Sequence, residues 1–173
     1  MTKLWMVLGF TCALGIVVTP LARAEVHHRI GGGVHYWTTL DDIDVANVDE
    51  SGLAYVLSYQ LRPASLVKFG VDLEMLPDNF GGASDPVYAP QAYVIVGGGI
   101  YAGLGIGGYY TDGGFSKDPF YNLRAGIDFC LIPFVYVDIN ANYRFEEWDD
   151  IKTVREDIST DTITIGAAVR LEL

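Results

Sequence analysis

Cysteine is nearly missing from this chain of 173 residues: only Cys12 and Cys130 occur. Histidine is almost as scarce, at three residues, and basic side chains number 11 against 22 acidic ones. These shortages exclude several classes. A disulfide framework or a cysteine-rich zinc site needs more thiols. A protein that neutralises nucleic-acid phosphates needs a basic surface, whereas the net charge here is −11. No nucleic-acid partner is expected, and an acidic chain of this kind suits cations better. Past residue 18 no segment approaches the roughly 20 apolar residues that a membrane-spanning helix requires.

The one apolar run lies at the start. Lys3 is followed by the hydrophobic stretch Leu4 to Val18 and then by Ala22-Arg23-Ala24. That order of charge, apolar core and A-x-A site predicts a secretory signal peptide over residues 1–24, cut after Ala24. Cys12 would leave with it, so Cys130 stays as a single thiol and no intramolecular disulfide can form. The leader carries Lys3, Arg23 and no acid, so its removal takes the net charge from −11 to −13. Residues 25–173 are expected to form one domain.

That remainder is dominated by strict alternation. Leu53, Tyr55, Leu57, Tyr59 and Leu61 alternate with Gly52, Ala54, Val56, Ser58 and Gln60. Val67, Phe69, Val71, Leu73 and Met75 are set against Lys68, Gly70, Asp72 and Glu74. Val135, Val137, Ile139, Ala141, Tyr143 and Phe145 are set against Tyr136, Asp138, Asn140, Asn142 and Arg144. Successive strand side chains point to opposite faces, so each segment presents one apolar face and one small or polar face. Such segments of about ten residues are the mark of transmembrane β-barrel strands.

The pattern predicts eight strands, at 29–37, 52–61, 66–76, 88–96, 100–110, 120–130, 135–145 and 160–173. Pro90 makes the fourth the weakest, because it donates nothing to a ladder. Connections alternate between short (62–65, 97–99, 131–134) and long (38–51, 77–87, 111–119, 146–159). Short periplasmic turns and longer external loops have this rhythm. The fold class expected is therefore all-β, an eight-stranded antiparallel up-and-down transmembrane barrel. A lipocalin-like barrel or a β-sandwich would need a densely charged outer face, yet the polar face here is mostly Gly, Ala, Ser, Thr and Asn. Tyr36, Tyr55, Tyr110, Tyr121 and Tyr143 fall near the long-loop ends of the apolar face, and Tyr59, Phe69 and Phe129 near the short-turn ends. Two aromatic bands fit two membrane interfaces.

The leader, the eight alternating segments and the closing strand together resemble the small bacterial outer-membrane barrels of the OmpA, OmpX and OmpW kind. The resemblance is one of pattern and covers the whole of residues 25–173. It implies outer-membrane localisation, contact with outer-membrane lipid and lipopolysaccharide, and recognition of the last strand by the assembly machinery. Ile163, Ile165, Ala167, Val169, Leu171 and Leu173 carry the alternation of that closing strand, although Leu173 stands where these families usually end on an aromatic.

Ten charged residues share the polar, lumen-facing parity: Arg29, Lys68, Arg124, Arg144 and Arg170 against Asp72, Glu74, Asp128, Asp138 and Glu172. Ionised groups in a narrow lumen are costly unless paired, so equal numbers predict a compensated network. Asp128 and Asp138 flank one short turn, and Arg170 is expected to separate their carboxylates. The resemblance adds a gate or ion path as an alternative. Gly103, Gly105 and Gly107 lie within a strand rather than between strand and helix, which rules against a dinucleotide fingerprint and favours room for large side chains across the lumen.

Barrel enzymes that deacylate or acylate lipid A pair a histidine with a serine. His35 points inward here with Ser51 and Ser58 on the next strand, but no family motif surrounds them, and no enzymatic activity, cofactor or metal is expected. Acidic loops stand out instead: Asp41, Asp42, Asp44, Asp49 and Glu50 in the first, and Glu146, Glu147, Asp149, Asp150, Glu156 and Asp157 in the last. Oxygen-rich clusters of this kind attract divalent cations diffusely. The leading expectation is a structural or surface-interaction barrel, with a narrow channel or apolar-solute conduit as the alternative and a lipid-modifying enzyme behind both.

Overall fold

A computed structural model describes residues 26–39, 51–78, 80, 83–111, 114–116, 118–145 and 161–173. The expected leader at 1–24 and the acidic clusters at 41–50 and 146–157 lie outside the described residues. Among those described, all regular structure is strand. Eight long strands carry it: β1 His27–Thr39, β2 Ser51–Ala64, β3 Val67–Leu76, β4 Val87–Gly97, β5 Ile100–Gly107, β6 Phe120–Ile132, β7 Val135–Phe145 and β8 Thr162–Glu172. Each pairs antiparallel with its neighbours in sequence, and β1 pairs with β8 from Arg29↔Glu172 to Thr39↔Thr162. The sheet therefore closes on itself into an eight-stranded up-and-down barrel, which leaves no edge to pair elsewhere.

The short connections shrink to two residues each, at 65–66, 98–99 and 133–134. Gly97 enters one turn at φ 129°, a conformation open to glycine. Phe134 closes another at φ 68°, and its carbonyl accepts from the amide of Glu172 at 2.8 Å. The strand expected at 100–110 ends at Gly107 instead, and Pro90 supplies the reason. Its carbonyl accepts from Gly108 at 3.1 Å, so its nitrogen faces the same neighbour and offers no N–H for another rung. The chain steps out through Gly108 and Tyr109, then Tyr110 resumes pairing opposite Tyr88. Tyr110 and Thr111 fold back on Gly114 and Phe115 as a small ladder above β5.

Burial follows the two-residue period. Leu53, Tyr55, Leu57 and Tyr59 are exposed, while Ala54, Val56, Ser58 and Gln60 are buried. The exposed side of the wall is thus an apolar belt, as lipid contact requires. Its rims hold the aromatics: Tyr36, Tyr55, Tyr88 and Phe115 toward the long loops, and Tyr59, Phe69, Phe129 and Phe134 toward the short turns, all at least 40% exposed.

Candidate functional site

Inward parity places ten charged side chains in the lumen, and nine of them are at most 8% exposed. Glu172, on the last rung opposite Arg29, keeps 15% of its side chain exposed. The charges fall into tiers, each built by strands on opposite sides of the barrel.

The tier at the short-turn end centres on Asp128. Arg29 Nη1 donates to its carboxylate at 2.9 Å, and Lys68 Nζ reaches the same oxygen. Arg29 Nε donates to Glu172 at 2.7 Å, and its guanidinium lies 3.3 Å from the centre of the Tyr136 ring. Asp128 was expected to share Arg170 with Asp138. Instead it is held by Arg29 and Lys68, which reach it across the lumen, while Arg170 pairs with Asp138.

The middle tier holds two carboxylates. Asp72 accepts from Tyr93 at 2.6 Å and from Arg124 Nη2 at 2.9 Å. Asp138 accepts from Tyr101 and Asn140, each at 2.6 Å, with Arg170 Nη1 at 3.2 Å. Arg124 Nε donates to Asn142 at 2.6 Å while its plane covers Tyr93, 4.3 Å away. Arg170 Nε donates to Ser58 at 3.0 Å. Charge-assisted bonds of this type are the stronger class. In a confined interior they offset a desolvation cost that would otherwise reach several kcal/mol per ion.

Above these sits Glu74, which takes His35 Nδ1 at 2.8 Å on one oxygen and Arg144 on the other. Arg144 lies 5.0 Å from the Phe120 ring. Its Nε and Nη1 meet no hydrogen-bond acceptor among the described residues, and in the tiers below Arg29 Nη2, Arg124 Nη1, Arg170 Nη1 and Asp128 Oδ1 are likewise without a hydrogen-bond partner there. His35 and Ser58 are engaged with different partners, Glu74 and Arg170, while Ser51 is exposed at the strand end. That is not the linkage of base to nucleophile that covalent catalysis needs.

At the long-loop end the lumen turns apolar. Trp37, Ala54, Leu76, Val87, Ala89 and Phe120 form a buried cluster, joined by Phe80, Ala83 and Tyr109. Phe80 stands edge-on to Trp37 with ring centres 4.8 Å apart, then meets Tyr109 at 5.5 Å, which meets Phe120 at 4.7 Å. Sequence reading missed this lid. Trp37, Leu76 and Phe120 share the inward parity and signalled it, but Phe80 comes from a connection, where alternation carries no information.

Glycines make the packing possible. A Cβ on Gly107 would stand 2.3 Å from the Phe120 ring, one on Gly126 2.6 Å from the Tyr101 hydroxyl, and one on Gly166 1.9 Å from His35 Cδ2. Gly103 and Gly105 lie similarly against Ile95 and against Tyr93 and Asn122. Large side chains on one strand occupy the space that a neighbouring glycine leaves empty.

No protein-family model matches the chain, and comparison with curated proteins finds no match. Solved structures do resemble it. Neisserial surface protein A superposes with a TM-score of 0.53 at 14% identity, over 86% of this chain and 97% of that one. The N-terminal barrel domain of Pseudomonas aeruginosa OprF gives 0.44 at 11% identity, covering 84% and 97%. The Yersinia pestis outer membrane protein Ail in a phospholipid bilayer nanodisc gives 0.41 at 18%, covering 86% and 100%. The first likeness is one of fold. Joined to the closed ladder and the exposed apolar belt, it makes this chain a small eight-stranded outer-membrane β-barrel.

Proposed function

We propose that the chain is a non-enzymatic barrel that acts at the outer-membrane surface through its acidic loops, rather than by passing or processing a solute through its lumen. The observation that carries this reading is the double obstruction of the interior. Paired charges occupy the lower and middle lumen, and an aromatic cluster occupies the loop end. An eight-stranded barrel has room for side chains and little else, so an aqueous channel would require both layers to part. The separate engagement of His35 and Ser58 supports the non-enzymatic half of the proposal.

The surface role rests on the loops' composition. Asp41, Asp42, Asp44, Asp49 and Glu50, with Glu146, Glu147, Asp149 and Asp150, concentrate acidic residues in the sequence segments that follow β1 and β7. Divalent cations held diffusely there would bridge the loops to phosphorylated outer-leaflet lipopolysaccharide. The test is expression in a Gram-negative host, reading the lipid A mass spectrum alongside calcium-dependent lipopolysaccharide binding by the purified protein. The expected result is an unchanged lipid A and weaker binding once Asp41, Asp42, Asp44, Asp49 and Glu50 are replaced by their amides. A new lipid A species would move the chain to the enzymes; binding indifferent to loop charge would remove the surface role.

A further inference from the structure

The outer wall across β2–β5 is not evenly covered. Two rows of outward side chains cross these strands at successive levels, Leu61–Phe69–Val94–Leu104 and, above it, Tyr59–Val71–Ala92–Ile106. The inward row between them is Gln60–Gly70–Tyr93–Gly105. Ala92 is the only member of the upper row as small as a methyl group. Gly70 and Gly105 flank Tyr93 without a Cβ of their own, since one on Gly70 would stand 2.1 Å from the Tyr93 ring. Small residues therefore coincide on both sides of the wall, and a groove of about 550 Å³ opens there, lined by these two rows with Gly70, Tyr93 and Gly105 at its floor.

We infer that this groove is a binding site for one acyl chain of a phospholipid in the leaflet nearer the short turns. Three features on the molecule lead there. The groove is continuous with the lipid-facing belt, so its occupant comes from the hydrocarbon layer rather than from water. Its lining is almost wholly apolar, as an acyl chain requires. Its height is set by β3 and β4, where Phe69, Val71 and Val94 lie in the half of each strand closer to the short turns, the periplasmic side of such barrels, and Ala92 stands at the middle of β4. Tyr59, at one margin, bonds through its hydroxyl to His28 Nδ1 at 2.7 Å, which fixes that ring as a wall of the groove. The inner backing is equally fixed, since Tyr93 is tied to Asp72. The depression is thus an open groove with one fixed margin and a fixed floor.

Ala92→Phe fills the groove from its centre without touching the lumen, while Ala141→Phe places the same ring on the opposite, lipid-facing wall of β7. The experiment is native mass spectrometry of each protein, folded in vesicles of phosphatidylethanolamine with added lipopolysaccharide and released into mild detergent. Heat-modifiable mobility on gels certifies folding first; should Ala92→Phe fail that check, Ala92→Leu takes its place. The parent and Ala141→Phe are expected to retain one phospholipid, and the groove-filled variant to lose it. Retention by the groove-filled variant, no retained lipid in the parent, or retained lipopolysaccharide in place of phospholipid would each overturn the inference.

Discussion

Arg124 shows at the scale of one residue what holds the lumen together. Its guanidinium bonds Asp72 and Asn142 and covers the Tyr93 ring, so Arg124→Ala leaves Asp72 buried without its guanidinium partner, held by the hydroxyls of Tyr93 and Ser58. A loss of about 3–5 kcal/mol is expected, the usual cost of stripping one partner from a buried pair, read from denaturant unfolding in lipid vesicles. Arg170→Ala should cost less, because Arg170 Nη1 lies 3.2 Å from Asp138 without forming a hydrogen bond, whereas Arg124 bonds Asp72 at 2.9 Å. Equal or reversed costs would contradict this ordering. Gly70→Ala drives a methyl into the Tyr93 ring and should cost about 1–3 kcal/mol, a penalty that disappears in a Tyr93→Ala background. Parity sufficed to assign these residues to the inside. It could not assign partners, since Asp128 binds Arg29 and Lys68 across the lumen, and that depends on stagger between strands far apart in sequence.

At the scale of elements, the alternation of hydrophobic and small residues located all eight strands, and their ends moved by only a few residues. β5 shortened most, because the missing donor that decides its end belongs to Pro90 on the neighbouring strand. β7 gives the clearest test of the two-faced pattern. Ile139 faces lipid near mid-strand, 44% exposed, between the buried Asp138 and Asn140. Ile139→Lys puts a charge into the hydrocarbon and should cost about 2–4 kcal/mol, measured by the folding equilibrium in vesicles. A neutral outcome would mean that this face meets water. The aromatic lid was less legible, since its central ring, Phe80, sits on a connection whose return into the barrel mouth no period announces.

The whole molecule combines an apolar exterior, a charged but paired interior and an apolar lid at one end. Closure of the ladder between β1 and β8 makes folding of the barrel cooperative, so unheated and boiled samples should migrate as distinct bands. The central consequence of the filled interior is impermeability. It is tested most directly by single-channel recording of the purified barrel in a planar bilayer, after gel mobility has certified the folded form. With Arg29, Lys68, Arg124, Arg144 and Arg170 paired below Trp37, Phe80 and Phe120, the expected trace is flat, without steady openings at moderate voltage. Long-lived, porin-sized conductance steps from the folded band would contradict a filled lumen and make transport the function to pursue.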